Sequence, residues 1–175
     1  MKSFTHTKTE NSFPIEQAFE RYYPAIFRYF RYRGADADTA NDLASSTFER
    51  ALKGQYDTRK SQIQTWLFAI ARNVAINHWK SETIRSMAPL DDDLPDPDTI
   101  PVEDILIFTQ GKEQVLLVLQ SLEPRAREII ALKFGGPLTN RQIAELTKLS
   151  EQNVGIILYR SLLKLRTLLE AHHDR

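Results

Sequence analysis

Residues 65–80, TWLFAIARNVAINHWK, decide how the chain folds and point to what it binds. As an α-helix, at about 100° per residue, the segment sorts its side chains into distinct arcs. Leu67, Ile70, Ala71, Val74 and His78, with Ile63 just before, form one largely apolar stripe suited to a core. Trp66, Asn73, Asn77 and Lys80 form a second arc, about 100° round from the first. Arg72 and Ile76 lie farther round still. A ring that stacks on bases, two amides that bond to base edges and a cation that neutralises phosphate thus share one side of one helix. An ordinary amphipathic helix also carries a solvated polar face. The large aromatic off the apolar stripe is what sets this helix apart.

Around that segment the chain reads as helix. Pro14 is placed to open a first helix, in which Ile15, Phe19, Tyr22, Tyr23, Ile26, Phe27 and Phe30 recur at helical spacing. Pro24 falls inside this pattern and predicts a kink or break near Tyr23; Gly34 ends it. A second helix runs from about Asp36 to Lys53, with Leu43, Thr47, Phe48, Ala51 and Leu52 as inward positions. Gly54 to Gln64 is a polar loop holding Tyr56, Arg59 and Lys60, which could wall a pocket for an unstacked base beside Trp66 and Asn73.

Between residues 81 and 100 the periodicity stops. APLDDDLPDPDTIP has four prolines and five aspartates in fourteen residues, the chemistry of an extended, charged tether. Helical spacing resumes around Val102 and runs to Leu122. A further helix starts near Pro124 and stops at Gly135-Gly136. Thr139 and Gln142 form a capping box that opens RQIAEL, TKL makes a tight turn, and Ser150 caps the last helix. Val154, Ile157, Leu158, Ser161, Leu162, Leu165, Leu168 and Leu169 form that helix's apolar stripe. A short helix, a brief turn and a second helix make a helix-turn-helix pattern. Its second helix presents Gln152, Asn153, Gly155, Ile156, Tyr159, Arg160 and Lys164 away from the stripe. Gln152 and Asn153 suit base edges; Arg160 and Lys164 suit phosphates. The expected fold is all-α: two small helical domains, 14–80 and 111–175, joined by an acidic flexible linker at 81–110 and preceded by a disordered 1–13.

The formal charge of zero over 175 residues hides a division. Residues 14–80 and 111–175 each carry +3, whereas 81–110 carries −7. Two basic blocks attract nucleic acid while the connector repels it. The absence of cysteine excludes disulfides and thiolate metal sites and fits a reducing cytoplasm. No apolar run is long enough to span a bilayer, and the N-terminus lacks the apolar centre of a signal peptide. There is no Gly-rich phosphate loop, His-Glu-x-x-His or serine nucleophile motif, so no enzyme and no cofactor is expected. Asp91–Asp93 lacks the spaced ligands of a calcium loop, and His172-His173 reads as a solvated tail.

With both halves in view, the chain resembles the bacterial sigma factors of the minimal, extracytoplasmic-function group, over residues 14 to 170. DLASSTFERAL (42–52) resembles region 2.2, which in that family docks on the clamp of the polymerase β′ subunit. The resemblance assigns Asp42, Leu43, Ser46, Thr47 and Arg50 to that contact. TWLFAIARNVAINHWK resembles regions 2.3 and 2.4, which open and read the minus-10 promoter element; Tyr56, Trp66, Arg72, Asn73, Ile76, Asn77 and Lys80 fall to this role. LEPRAREIIALKF with NRQIAELTKLSEQNVGIILYRSLLKLR resembles region 4, which reads the minus-35 element and binds the β flap. Core RNA polymerase, promoter DNA and an anti-sigma factor are the partners this implies, with the linker threading toward the polymerase active-site channel.

Three positions depart from the family pattern. Ser46 stands where region 2.2 has a glutamate. Gly155, Ile156 and Ile157 stand where lysine or arginine often follows the valine, and Gly155 costs the helix about 1 kcal/mol relative to Ala. Thr147-Lys148 replaces the usual turn glycine. Stacking is worth about 1–3 kcal/mol per base, comparable to unstacking one, so a pocket of Tyr56, Trp66 and Asn73 holds a captured base without melting a promoter alone. Trp66 serves either that pocket or the core. Asn73 is the better candidate for direct base contact. A free-standing helix-turn-helix regulator, or an adaptor mimicking one docking surface, are the competing readings; the first leaves the initial eighty residues unassigned.

Overall fold

The computed structural model describes residues 15–57, 61–83 and 112–173. Residues 1–13, Arg59 and Lys60, the acidic segment, the start of helical spacing at Val102 and the side chains of His172-His173 lie outside the described residues. Among the described residues, seven helices run in order: α1 (Ile15–Arg33), α2 (Ala37–Lys53), α3 (Ile63–Thr83), α4 (Lys112–Gln120), α5 (Pro124–Ile130), α6 (Asn140–Thr147) and α7 (Glu151–His173). Among the described residues there is no strand, and no helix is long and apolar enough to cross a membrane.

Local chemistry sets most of the boundaries. Asp36 caps α2, its carboxylate accepting from the Thr39 backbone N–H at 2.8 Å. That bond also holds the Asp36 carboxyl below the usual carboxylate range. Gly34 takes φ +108, a conformation only glycine adopts freely, and turns α1 into α2. Arg127 donates to the carbonyls of Leu119 and Leu122, satisfying the end of α4. Pro124 opens α5, which widens into a π-turn over Ala131–Gly135 before the chain leaves at Gly136. Lys148 adopts the left-handed conformation at the end of α6, replacing the expected turn glycine. Ser150 caps α7 through the Asn153 N–H at 3.1 Å.

Both halves of the capping box at Thr139 are present: its hydroxyl accepts from Gln142 N–H at 3.2 Å, and Gln142 Oε1 accepts from Thr139 N–H at 2.9 Å. Thr139→Ala is expected to remove about 1 kcal/mol, read as a fall in Tm of about 2–4 °C in thermal unfolding.

The predicted break at Pro24 does not occur; α1 continues through it. Pro24 and Glu20 are both exposed, so the carbonyl that loses its partner faces water, while Ala18, Ala25 and Ile26 pin both sides of the proline into the core. Two other expectations fail at the edge of this core. Phe19 and Leu52 are exposed, at 44% and 63%. Phe19 lies ring-to-ring with Tyr23 and Phe48, at centroid distances of 4.7 and 4.9 Å.

α1 packs on α2 along one side and on the Ala131–Gly135 turn along another, and α2 packs on α3. α7 lies across α4, α5 and α6. The apolar interior is one cluster drawing on all of these helices. Phe68 and Ala75, outside the expected stripe of α3, are fully buried. Phe68 is covered on this second face by Tyr29 of α1 and by the turn at Gly136 after α5. The Phe68 ring stands at 87° to Tyr29, with centroids 5.8 Å apart.

Candidate nucleic-acid interface

One side of α3 is open. Asn73, Ile76, Asn77 and Lys80 are exposed on it, and at its start Tyr56 and Trp66 meet with ring centroids 5.1 Å apart. Trp66 is half-buried and packs against the core. The Tyr56 hydroxyl donates to the Ser61 carbonyl at 2.8 Å, just before α3. Burial pushes the phenol's pKa up. Two rings, two exposed amides and a cation therefore share a surface.

Arg72 is drawn away from that surface. Its Nε donates to Glu128 Oε1 of α5 at 2.9 Å, with the side chains only 24% and 12% exposed. The seam continues beside it. Gln64 Nε2 donates to the Gly136 carbonyl at 2.7 Å. Gln142, already part of the capping box, donates to Thr65 Oγ1 at 2.9 Å. Arg33 donates to the Pro124 carbonyl at 3.3 Å and lies over the Trp79 ring at 4.7 Å. A Cβ on Gly135 would stand 2.8 Å from Tyr29 Cα, and one on Gly136 would stand 2.7 Å from Phe68 Cε1. The seam thus requires glycine at both positions.

On α2, Asp42 and Arg50 are exposed and Ser46 is half-buried. Leu43 and Thr47 point inward and form no part of the outer surface: Leu43 joins the core, and the fully buried Thr47 hydroxyl donates to the Leu43 carbonyl at 2.8 Å. Phe19 and Leu52 extend this surface with apolar area that periodicity alone had placed inside.

On α7, Gln152 and Asn153 are exposed, and Gly155, Ile156, Tyr159 and Arg160 are half-buried. Lys164 is exposed, and its Nζ donates to the Ser121 carbonyl at 3.1 Å, a bond that ties α7 to the end of α4. Among the described residues, no group of three or more His, Cys, Asp or Glu could hold a metal.

Residues 18–84 match the sequence model of Sigma-70 region 2, and residues 112–165 that of Sigma-70 region 4. The chain belongs to the sigma-70 family. Its relatives include the RNA polymerase sigma factor YlaC of Bacillus subtilis, 29% identical over 155 residues that cover 87% of this chain and 90% of YlaC. The ECF RNA polymerase sigma factor BldN of Streptomyces coelicolor is 29% identical over 143 residues, 79% of this chain but 53% of BldN. The chain therefore spans about half the length of that relative. Among solved structures, the sigma factor RpoE of Bartonella quintana, in complex with the anti-sigma factor NepR, superimposes with a TM-score of 0.69. The identity there is 18%, with 89% of this chain and 96% of the other covered. CnrH in complex with the cytosolic domain of CnrY gives a TM-score of 0.61 at 20% identity, covering 90% and 88%. These likenesses concern the fold.

The protein is thus an extracytoplasmic-function sigma factor, an alternative sigma factor that directs promoter recognition by RNA polymerase. Within this sigma factor, α1–α3 correspond to region 2 and α4–α7 to region 4. The two helix groups are in contact through the seam at Arg72, Gln64 and Gln142.

Proposed function

We propose that the sigma factor docks on core polymerase through the outer side of α2, with Asp42, Ser46, Arg50, Phe19 and Leu52, and then presents α3 to the minus-10 element and α7 to the minus-35 element. The observation that carries this reading is the open side of α3, where Asn73, Asn77 and Lys80 are exposed along the helix from the paired rings of Tyr56 and Trp66. Amides read base edges, the cation meets phosphate and the rings stack on an unpaired base. The −7 segment at 81–110 serves as the tether between the two DNA-reading parts. The protein acts by binding, in the cytoplasm, without chemistry of its own.

Arg72 joins the DNA contact only once its ion pair with Glu128 opens. The closed seam is therefore the form without promoter, and opening it is coupled to polymerase docking. As RpoE and CnrH have been solved with inhibitory or cytosolic partners, an anti-sigma factor is proposed as the partner that holds this sigma factor apart from polymerase.

Mixing the purified chain with core polymerase tests the reading: a stable complex active in run-off transcription is expected. Specific DNA binding by the free chain with no polymerase complex would overturn it. In the complex, Asn73→Ala is expected to leave core affinity unchanged and to lower open-complex formation about tenfold, the loss of one base contact. Unchanged open-complex formation would remove Asn73 from base reading.

A further inference from the structure

Gly155 stands in the first turns of α7 with no reason in the fold to be glycine. The other described glycines each have one. Gly34 takes φ +108, Gly54 lies against the Trp66 ring and the Arg50 carbonyl, and Gly135 and Gly136 leave no room for a side chain at the seam. At Gly155 the backbone is ordinary helix, and an added Cβ would meet nothing within 4 Å. An interior helical glycine is unfavourable relative to alanine, because it orders more backbone freedom and exposes more of the backbone to water. Among the described residues, no packing against Gly155 offsets that cost.

Its neighbours on the helix surface are Glu151 and Gln152, one turn before, and Tyr159, one turn after. Glu151 and Gln152 are exposed, and Gly155 and Tyr159 are half-buried. A bare backbone among a carboxylate, an amide and a phenol is a surface that another molecule can approach more closely than any side chain would permit. We propose that Gly155 is a specificity-determining position, at which duplex DNA of the upstream promoter element comes against the backbone of α7. This rests on the reading of α7 as the helix facing the minus-35 element. It assigns base discrimination there to close fit at Gly155, beside Gln152, rather than to cations.

The test uses holoenzyme assembled from core polymerase and the full chain. Duplexes randomised over the upstream element and selected with the wild-type holoenzyme supply the probe. Gly155→Ala is expected to raise the Tm of the free chain by about 2–4 °C. It should leave core affinity unchanged and weaken binding of the selected duplex about tenfold, the scale of one lost base contact. Selection repeated with this variant should recover different bases at one position. Wild-type affinity for the duplex, or a loss that follows core affinity instead, would overturn the proposal. A variant carrying Gln152→Ala and Asn153→Ala separates the two levels. If it weakens duplex binding while Gly155→Ala does not, only the inference about Gly155 falls. If neither does, the assignment of α7 to DNA falls with it.

Discussion

Replacing Phe68 with alanine is expected to lower the unfolding free energy by about 3–5 kcal/mol, the range for removing a fully buried aromatic side chain. The ring has no exposed surface. It stands edge-on to Tyr29 of α1, and its Cε1 and Cζ lie within 2.9 Å of where a Gly136 Cβ would be. Removing it therefore empties a space shared by α1, α3 and the turn after α5. Denaturant unfolding followed by circular dichroism reads the loss directly. Because the space is shared, hydrogen exchange should also accelerate in α5 and α6, far from position 68 in sequence. A loss under about 1 kcal/mol would mean that the cavity collapses and that the seam holds without the ring.

Glu128→Gln addresses the other strong contact of the seam. A charge-assisted bond at this burial is worth about 1–3 kcal/mol, and the variant leaves the Arg72 guanidinium half-buried without its carboxylate. Stability should fall by that amount, and the difference should persist in high salt, since a partly buried pair is weakly screened. Promoter opening should respond in the opposite sense. With Arg72 released toward the open side of α3, holoenzyme carrying Glu128→Gln should form open complexes at least as fast as wild type, whereas Arg72→Met should lose both stability and rate. The two variants combined complete a double-mutant cycle, and a coupling near zero would show that the pair contributes nothing at the seam. If Glu128→Gln and Arg72→Met slow opening equally, the pair acts as a structural strut in the open form as well.

Contacts that close within a few residues were legible from the sequence. The Thr139–Gln142 box, the Ser150 cap and the stripe of α7 are local, and each forms as spacing and side-chain chemistry predict. The second buried face of α3 was not legible. It exists because residues distant in sequence, Tyr29 of α1 and Gly136 after α5, cover Phe68, and no periodicity within 65–80 distinguishes Phe68 from an exposed aromatic. Arg72 was misplaced for the same reason, its partner lying 56 residues on. Phe19 and Leu52 fit a helical repeat but sit at the rim, where the repeat outlasts the core. Asn73, Asn77 and Lys80 were correctly placed outside, because an exposed polar arc needs no distant partner.

The glycine pair after α5 also limits how far this protein can be recombined. A hybrid that joined residues 15–83 to the C-terminal helices of a relative would set that relative's side chains against Tyr29 Cα and the Phe68 ring. Backbone atoms at Tyr29 cannot yield as a flexible side chain would. A donor with any larger residue at 135 would leave the two parts of the hybrid undocked, while a donor with glycine there keeps them compatible. Positions 29, 68, 135 and 136 thus form one packing unit, and a hybrid keeps the closed seam only where the donor supplies glycine at 135 and 136.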